Sequence, residues 1–286
     1  PVVVRLFSYL TGDCLAAGLF VSALCFAGSG VMLYKLMCLD MESAAALRAV
    51  KFFALCPAAF FFAAPMSESL FVLCTVSCLY LVRTGRIRTG GLLGAYAAFT
   101  RSPGLILVVP ILFELVRSRA KPREYLALFM VPLGFAAYCV INCSVSGDAF
   151  KFMEYQSIHW NQRLGWFFGT AAYQTENAVS AAGRPALFWG LWLPNLLAQL
   201  LSLAAMIFAA KRMRASYTAY FIAYFVVTMG ATWLLSAPRY LAAMLSLPAA
   251  MSALAENART ERVLILLSVL MFFVYFIFFL LRWQVW

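Results

Sequence analysis

Uncharged, mostly apolar runs alternate with short charged stretches along the whole chain. The longest runs, 14–34, 125–147, 185–210, 215–238 and 263–281, hold 19 to 26 residues each. Each is long enough to cross a hydrocarbon layer of about 30 Å as a helix. Shorter runs lie at 52–67, 69–82, 89–100, 102–113 and 240–255. At about 1.5 Å per residue the shortest reach only ~18 Å, so they must borrow flanking residues or end in a recess of the membrane. Arg101 interrupts the pattern between 89 and 113, and Pro103 disfavours helix at the residue before it. The spacing therefore predicts two short helices meeting at Arg101. The pattern predicts an all-α, polytopic membrane protein of about ten transmembrane helices, several of them short. It reads as a single membrane-embedded domain over 1–286, with an extramembrane loop at 144–185.

Composition agrees: 65% of residues are hydrophobic and 12% charged, against roughly 45–50% and about 25% in soluble domains. The formal charge of +11 would suggest nucleic acid in a soluble protein. Here it sets topology instead. The turns 35–51, 83–88, 114–124, 211–214 and 256–262 carry net +9, and the alternate stretches net +2. The positive-inside rule places the first set in the cytoplasm, and nucleic acid drops out as a partner. Both ends of the chain are then expected outside. The eight cysteines lie mostly in apolar runs, without a CxxC pair or a Cys/His cluster. They read as small buried hydrophobes, and no zinc site is expected.

With that orientation the unusual polar groups fall on the outer face. They are Pro65-Met66-Ser67-Glu68-Ser69, Thr100-Arg101-Ser102-Pro103-Gly104, Ser236-Ala237-Pro238-Arg239-Tyr240, and Asp148, Glu154, His159 and Trp160 of the long loop. Helix capping accounts for Ser67, Ser102 and Ser236, for Pro103 at a first helical position, and for Glu68 in a first turn. It does not account for Arg101 and Arg239, because cations oppose the dipole at a helix N-terminus. An anion between them would remove the conflict, and helix N-termini with two arginines suit a phosphate. The arginines could instead snorkel to water or pair with Glu68 or Asp148. The aromatics of the loop fit either an interfacial belt or a platform for a sugar or lipid, with His159 and nearby acids in proton transfer.

The run from Phe61 to Phe71, with Pro65-Met66-Ser67-Glu68-Ser69 at its centre, resembles an element of the PIG-V family, GPI mannosyltransferase 2 and its prokaryotic relatives. Thr100-Arg101-Ser102-Pro103-Gly104-Leu105 is similar to the family's next element, and Gly147-Asp148, His159-Trp160 and Pro238-Arg239-Tyr240 resemble later ones in order. The resemblance implies a GT-C-like membrane glycosyltransferase working on the extracytoplasmic or lumenal face. The implied cosubstrate is a lipid-linked donor, polyprenyl- or dolichyl-phosphate mannose, and the acceptor a glycolipid, glycan or protein. Glu68, Asp148 and His159 would be catalytic. Arg101, Arg239 and Ser102 would bind the donor phosphate, and Ser67, Ser69, Trp160 and Tyr240 would line the sugar or acceptor pocket. No metal ligand set is implied, although such enzymes leave room for a divalent metal. The expected location is the plasma membrane of a prokaryote or the endoplasmic reticulum of a eukaryote.

The chain departs from the family pattern at its start. GT-C enzymes usually carry a catalytic acid in the first outer loop, and Pro1-Val2-Val3-Val4-Arg5 resembles the segment just after it. The expectation is that the first helix and its acidic loop are missing. Rival readings are a lipid or sugar-lipid transporter or flippase, and a non-catalytic membrane subunit with a membrane partner. The long runs carry no charge and show no inverted repeat, which disfavours the transporter.

Overall fold

The computed structural model describes residues 2–232, 234–283 and 285. Among these it is all-α, with no strand. The helices are α1 (Val2–Thr11), α2 (Cys14–Met37), α3 (Ser43–Ala54), α4 (Glu68–Arg83), α5 (Ile87–Thr100), α6 (Val108–Arg117), α7 (Pro122–Ser146), α8 (Lys151–Trp160), α9 (Phe167–Ser180), α10 (Pro185–Arg212), α11 (Ala215–Met229), α12 (Ala237–Ala242), α13 (Ser246–Leu254) and α14 (Ala258–Leu280).

Four of them, α2, α7, α10 and α14, are long and apolar enough to cross a membrane, at 23 to 28 residues. Their ends follow from local chemistry. The Asp13 carboxylate accepts from the Ala16 N–H at 2.7 Å and starts α2. Asn257 starts α14 in the same way through the Arg259 N–H at 2.8 Å. No residue of α14 is buried. A helix so apolar and with no residue fully covered by protein has hydrocarbon as its natural surroundings. The chain is an integral membrane protein.

The expected break at Arg101 is present. Helix α5 ends at Thr100, Arg101 is extended (φ −150°, ψ 138°), and a 3-10 helix over Ser102–Leu107 leads into α6. Other expected elements need correction. The run 52–67 is not one helix: α3 stops at Ala54 and only the single turn Phe60–Ala63 follows. Pro57 and Pro65 lack the N–H that a continuous helix needs there. The run 240–255 is split between α12 and α13, since Pro248 cannot donate back to the preceding turn. The run 215–238 is helical only to Met229. The stretch 144–185, expected as a loop, contains two helices, α8 and α9. Of the three expected serine caps, Ser67 and Ser236 sit at cap positions without a capping bond, and Ser102 follows the cap residue Arg101.

Helix α2 packs on α4, α4 on α5, and α5 on α7. Glycine sets the closest approach: a Cβ on Gly134 of α7 would lie 1.9 Å from the Ala95 carbonyl oxygen of α5. Small residues allow helix backbones to meet this closely in a membrane. Gly134→Ala should therefore push α5 and α7 apart and cost about 1–3 kcal/mol, the usual penalty for overpacking. Thermal unfolding in detergent checks this, and an unchanged Tm would contradict the contact. The core of the bundle includes Phe62, Phe71 and Leu107, with Tyr217, Tyr220 and Tyr224 of α11 almost fully buried.

Candidate active site

The segment before α4 is docked on α2. A Cβ on Gly18 would lie 2.6 Å from Pro65 Cβ, so the proline ring sits directly on the helix backbone. Ser69 is buried and its hydroxyl donates to the Phe62 carbonyl at 2.5 Å. Ser29 of α2 donates to the Ser69 carbonyl at 3.3 Å. These contacts fix the first turn of α4, and with it Glu68, whose side chain is only 1% exposed.

The Glu68 carboxylate receives two guanidinium groups on one oxygen. Arg101 Nη1 donates to Oε1, and so does Arg239 Nε at 2.5 Å. The other oxygen, Oε2, is buried without a hydrogen-bond partner among the described residues. The Arg101 guanidinium lies over the Tyr240 ring at 5.4 Å and that of Arg239 over the Phe61 ring at 5.2 Å. The anion expected between the two arginines is thus the protein's own carboxylate. Two cations against one anion leave the cluster with a positive excess.

The break at Arg101 depends on a close fold-back. A Cβ on Gly104 would lie 2.3 Å from the Ala98 amide nitrogen, so the 3-10 helix rests on the end of α5. Arg239 is placed by a different device. The Ala237 N–H at the start of α12 donates to Asn195 Oδ1 at 2.7 Å. Asn195 Nδ2 donates to the Leu191 and Leu235 carbonyls at 2.9 and 3.0 Å. Gln174 of α9 donates to the Leu234 carbonyl at 2.7 Å and accepts from Gln199 of α10. Tyr224 of α11 donates to the Tyr240 carbonyl at 3.1 Å.

This amide network is not among the features expected from the sequence. Its signal was present: Asn195 and Gln199 stand four apart in an otherwise apolar run, and polar groups in a span need partners. Asn195→Leu should cost about 1–3 kcal/mol, because it leaves the Leu235 carbonyl and the Ala237 N–H without their partner. A Tm in detergent equal to wild type would remove Asn195 as the anchor of α12.

A cavity of about 810 Å³ opens beside the cluster. Arg101, Ser102 and Tyr240 line it from one side, Tyr138 and Asn142 of α7 from another, and residues 152–157 of α8 and 162–164 close it. Glu68 and Arg239 are not among its lining residues. A second, apolar cavity of about 300 Å³ lies behind α12, lined by Pro238, Leu241 and Ala242 with Met271 and Tyr275 of α14.

A second ionic cluster occupies the far end of α4. Arg83 pairs with Asp40, and Arg214 with Glu114 at 2.6 and 2.7 Å. Ser216 donates to Glu114 at 2.5 Å, and Tyr217 to Asp40 at 2.9 Å. Glu68 and Arg83 are the first and last residues of the 16-residue α4, so the clusters stand about 22 Å apart along its axis. The four ionic residues of this cluster come from stretches that charge counting assigns to the cytoplasm. Glu68, Arg101 and Arg239 come from stretches assigned to the opposite side.

Residues 6–159 match the model of a family described as Mannosyltransferase (PIG-V). The chain belongs to this family. No curated protein and no solved structure matches the chain. Membership in the PIG-V family supports glycosyl transfer as the activity of this membrane protein. The matched region contains Glu68 and Arg101 and ends at His159, so Arg239 and Tyr240 reach the cluster from outside it.

Within this PIG-V chain the structure gathers some of the expected site residues and leaves others apart. Glu68, Arg101, Arg239 and Tyr240 converge, and Ser102 joins Arg101 at the cavity wall. Ser69 is committed to the Phe62 carbonyl, and Ser67 is exposed. Asp148, His159 and Trp160 are exposed and do not line the cavity. The Asp148 carboxylate accepts from the Phe150 N–H at 2.8 Å and orders the chain before α8. The His159 ring stacks on Tyr155 at 5.7 Å. Glu154 does line the cavity, where Lys151 holds it at 2.6 Å. That bond raises the Lys151 ammonium above its ordinary pKa. The cluster does not suit a divalent metal: Glu68 is its one carboxylate and already faces two cations, and no trio of His, Cys, Asp or Glu gathers elsewhere among the described residues.

Proposed function

We propose that the chain is a GT-C-type mannosyltransferase that moves mannose from polyprenyl-phosphate mannose to a glycolipid, glycan or protein acceptor on the extracytoplasmic or lumenal face. The observation that carries this reading is the Glu68–Arg101–Arg239 cluster beside an open cavity, within a chain of the PIG-V family. The separation of the two ionic clusters along α4 supports the orientation, with the Glu68 end outward and about ten passes in all, several of them short or broken.

In this reading the acceptor hydroxyl attacks C1 of mannose, and the bond from C1 to the phosphate oxygen breaks. Its electron pair leaves with polyprenyl phosphate, and the hydroxyl proton goes to a base. Arg101 and Ser102 meet the phosphate at the cavity wall, where a fixed guanidinium stabilises charge as it develops. Glu68 orients Arg101 and Arg239, and Tyr240 supports Arg101. Asp148 and His159 are exposed and off the cavity lining, so neither is assigned as the base. The carrier's chain lies in the bilayer.

The test is transfer of labelled mannose from polyprenyl-phosphate mannose by the full-length protein in membranes. Formation of labelled product is expected. A protein that binds the donor yet transfers nothing to any lipid, glycan or protein acceptor would favour the non-catalytic subunit instead.

A further inference from the structure

Arg163, an exposed residue, lines the same 810 Å³ cavity as Arg101. It lies outside the region that matches the family. Its backbone is fastened: the Arg163 N–H donates to Thr232 Oγ1 at 2.8 Å, and the Thr232 N–H returns to the Arg163 carbonyl at 2.8 Å. Gly165 presses on the same segment, where an added Cβ would lie 2.9 Å from the Gly230 carbonyl oxygen. The side chain is steered as well, since Nε donates to Ser157 Oγ at 3.0 Å on the cavity wall.

No described carboxylate pairs with Arg163, and the one acidic residue lining the cavity, Glu154, is held by Lys151 at 2.6 Å. Arg101 has Glu68 as a counter-ion, but Glu68 is shared with Arg239. A cavity with two guanidiniums on fixed backbone and an excess of positive charge is suited to an anionic group, which arginine binds through paired N–H donors.

We propose that Arg163 and Arg101 together bind a phosphate group of a substrate inside this cavity. The proposal rests on the cavity being the reaction site. The phosphate belongs either to the polyprenyl carrier or to the acceptor, and the test separates the two.

The test is site-resolved labelling of the full-length protein in detergent with the arginine reagent phenylglyoxal, read by mass spectrometry. At a polyprenyl phosphate concentration about ten times its Kd, labelling of both Arg163 and Arg101 should slow about tenfold, as occupancy requires, while polyprenol should not slow it. That result assigns the group to the carrier. Slowing by inorganic phosphate but not by polyprenyl phosphate supports the site and assigns the group to the acceptor. Equal slowing by polyprenol, or none by either phosphate, overturns the proposal. Arg163→Gln should weaken the protection of Arg101, with Arg163→Lys retaining part of it. Protection without mannose transfer would refute the mannosyltransferase reading alone. Transfer that is indifferent to Arg163→Gln, with no protection, would refute this inference alone.

Discussion

Arg101→Ala should lower mannose transfer about a hundred- to a thousandfold, the loss that follows removal of one preorganised donor to a developing anion. Arg101 is the one member of the ionic cluster that also lines the cavity. Its backbone is extended at a fixed break, and its guanidinium is held between Glu68 and the Tyr240 ring. The protein should still fold, because Glu68 keeps Arg239 as a partner. Arg101→Lys preserves the charge but not the planar fork, so an intermediate rate is expected. Initial rates with labelled polyprenyl-phosphate mannose, compared at equal folded protein, decide the matter. A rate for Arg101→Ala within a few-fold of wild type would remove Arg101 from the donor site.

Glu68→Ala should have the largest effect on stability, about 3–5 kcal/mol, because it strands two guanidiniums without their counter-ion. The lower end of that range is expected, since the Arg239 side chain is 27% exposed and so only partly desolvated by protein. Glu68→Gln keeps the shape and one acceptor oxygen but not the charge, and should fall between. The double variant Glu68→Gln/Arg239→Gln should recover part of the loss by removing one stranded cation. Unfolding curves in detergent report these differences. A Tm for Glu68→Ala equal to wild type would show that the buried pairing contributes nothing. Activity adds a second readout: if Glu68 orients Arg101, donor KM should rise in Glu68→Gln before kcat falls.

Much of the fold was legible because hydrocarbon imposes a length and an apolar composition on whatever crosses it. The runs at 14–34, 125–147, 185–210 and 263–281 correspond to the four long helices α2, α7, α10 and α14. The break at Arg101 was legible because a cation followed by a proline interrupts the apolar pattern there, although the residue before the proline, Ser102, opens a 3-10 helix and the extended residue is Arg101 itself. The shorter runs misled for the opposite reason. At 52–67 and 240–255 the absence of charge says only that the chain lies in a dry place, which a turn can occupy when protein surrounds it. The helices α8 and α9 were hidden in a polar stretch. The Thr170 hydroxyl of α9 bonds the Gly230 and Ala231 carbonyls at 3.2 and 3.0 Å, and Gln174 bonds the Leu234 carbonyl.

The candidate site divides along the same line. Glu68, Arg101, Arg239 and Tyr240 were visible as polar residues out of place beside apolar runs. Their mutual contact was not, since 171 positions separate Glu68 from Arg239. Asp148, His159 and Trp160 looked equivalent to them by side and by chemistry, yet they are exposed and stand off the cavity lining.

The amino-acid sequence by itself determined that this chain lives in a membrane and which polar residues need an explanation. Those properties follow from composition and local spacing, which every copy of the chain carries before it folds. Only the tertiary structure decided that the anion between the two arginines is Glu68, that Asn195 sets the helix bearing Arg239, and that Arg163 shares a cavity with Arg101. Such pairings depend on which distant segments pack together, and the free energy that selects them is spread over the whole bundle.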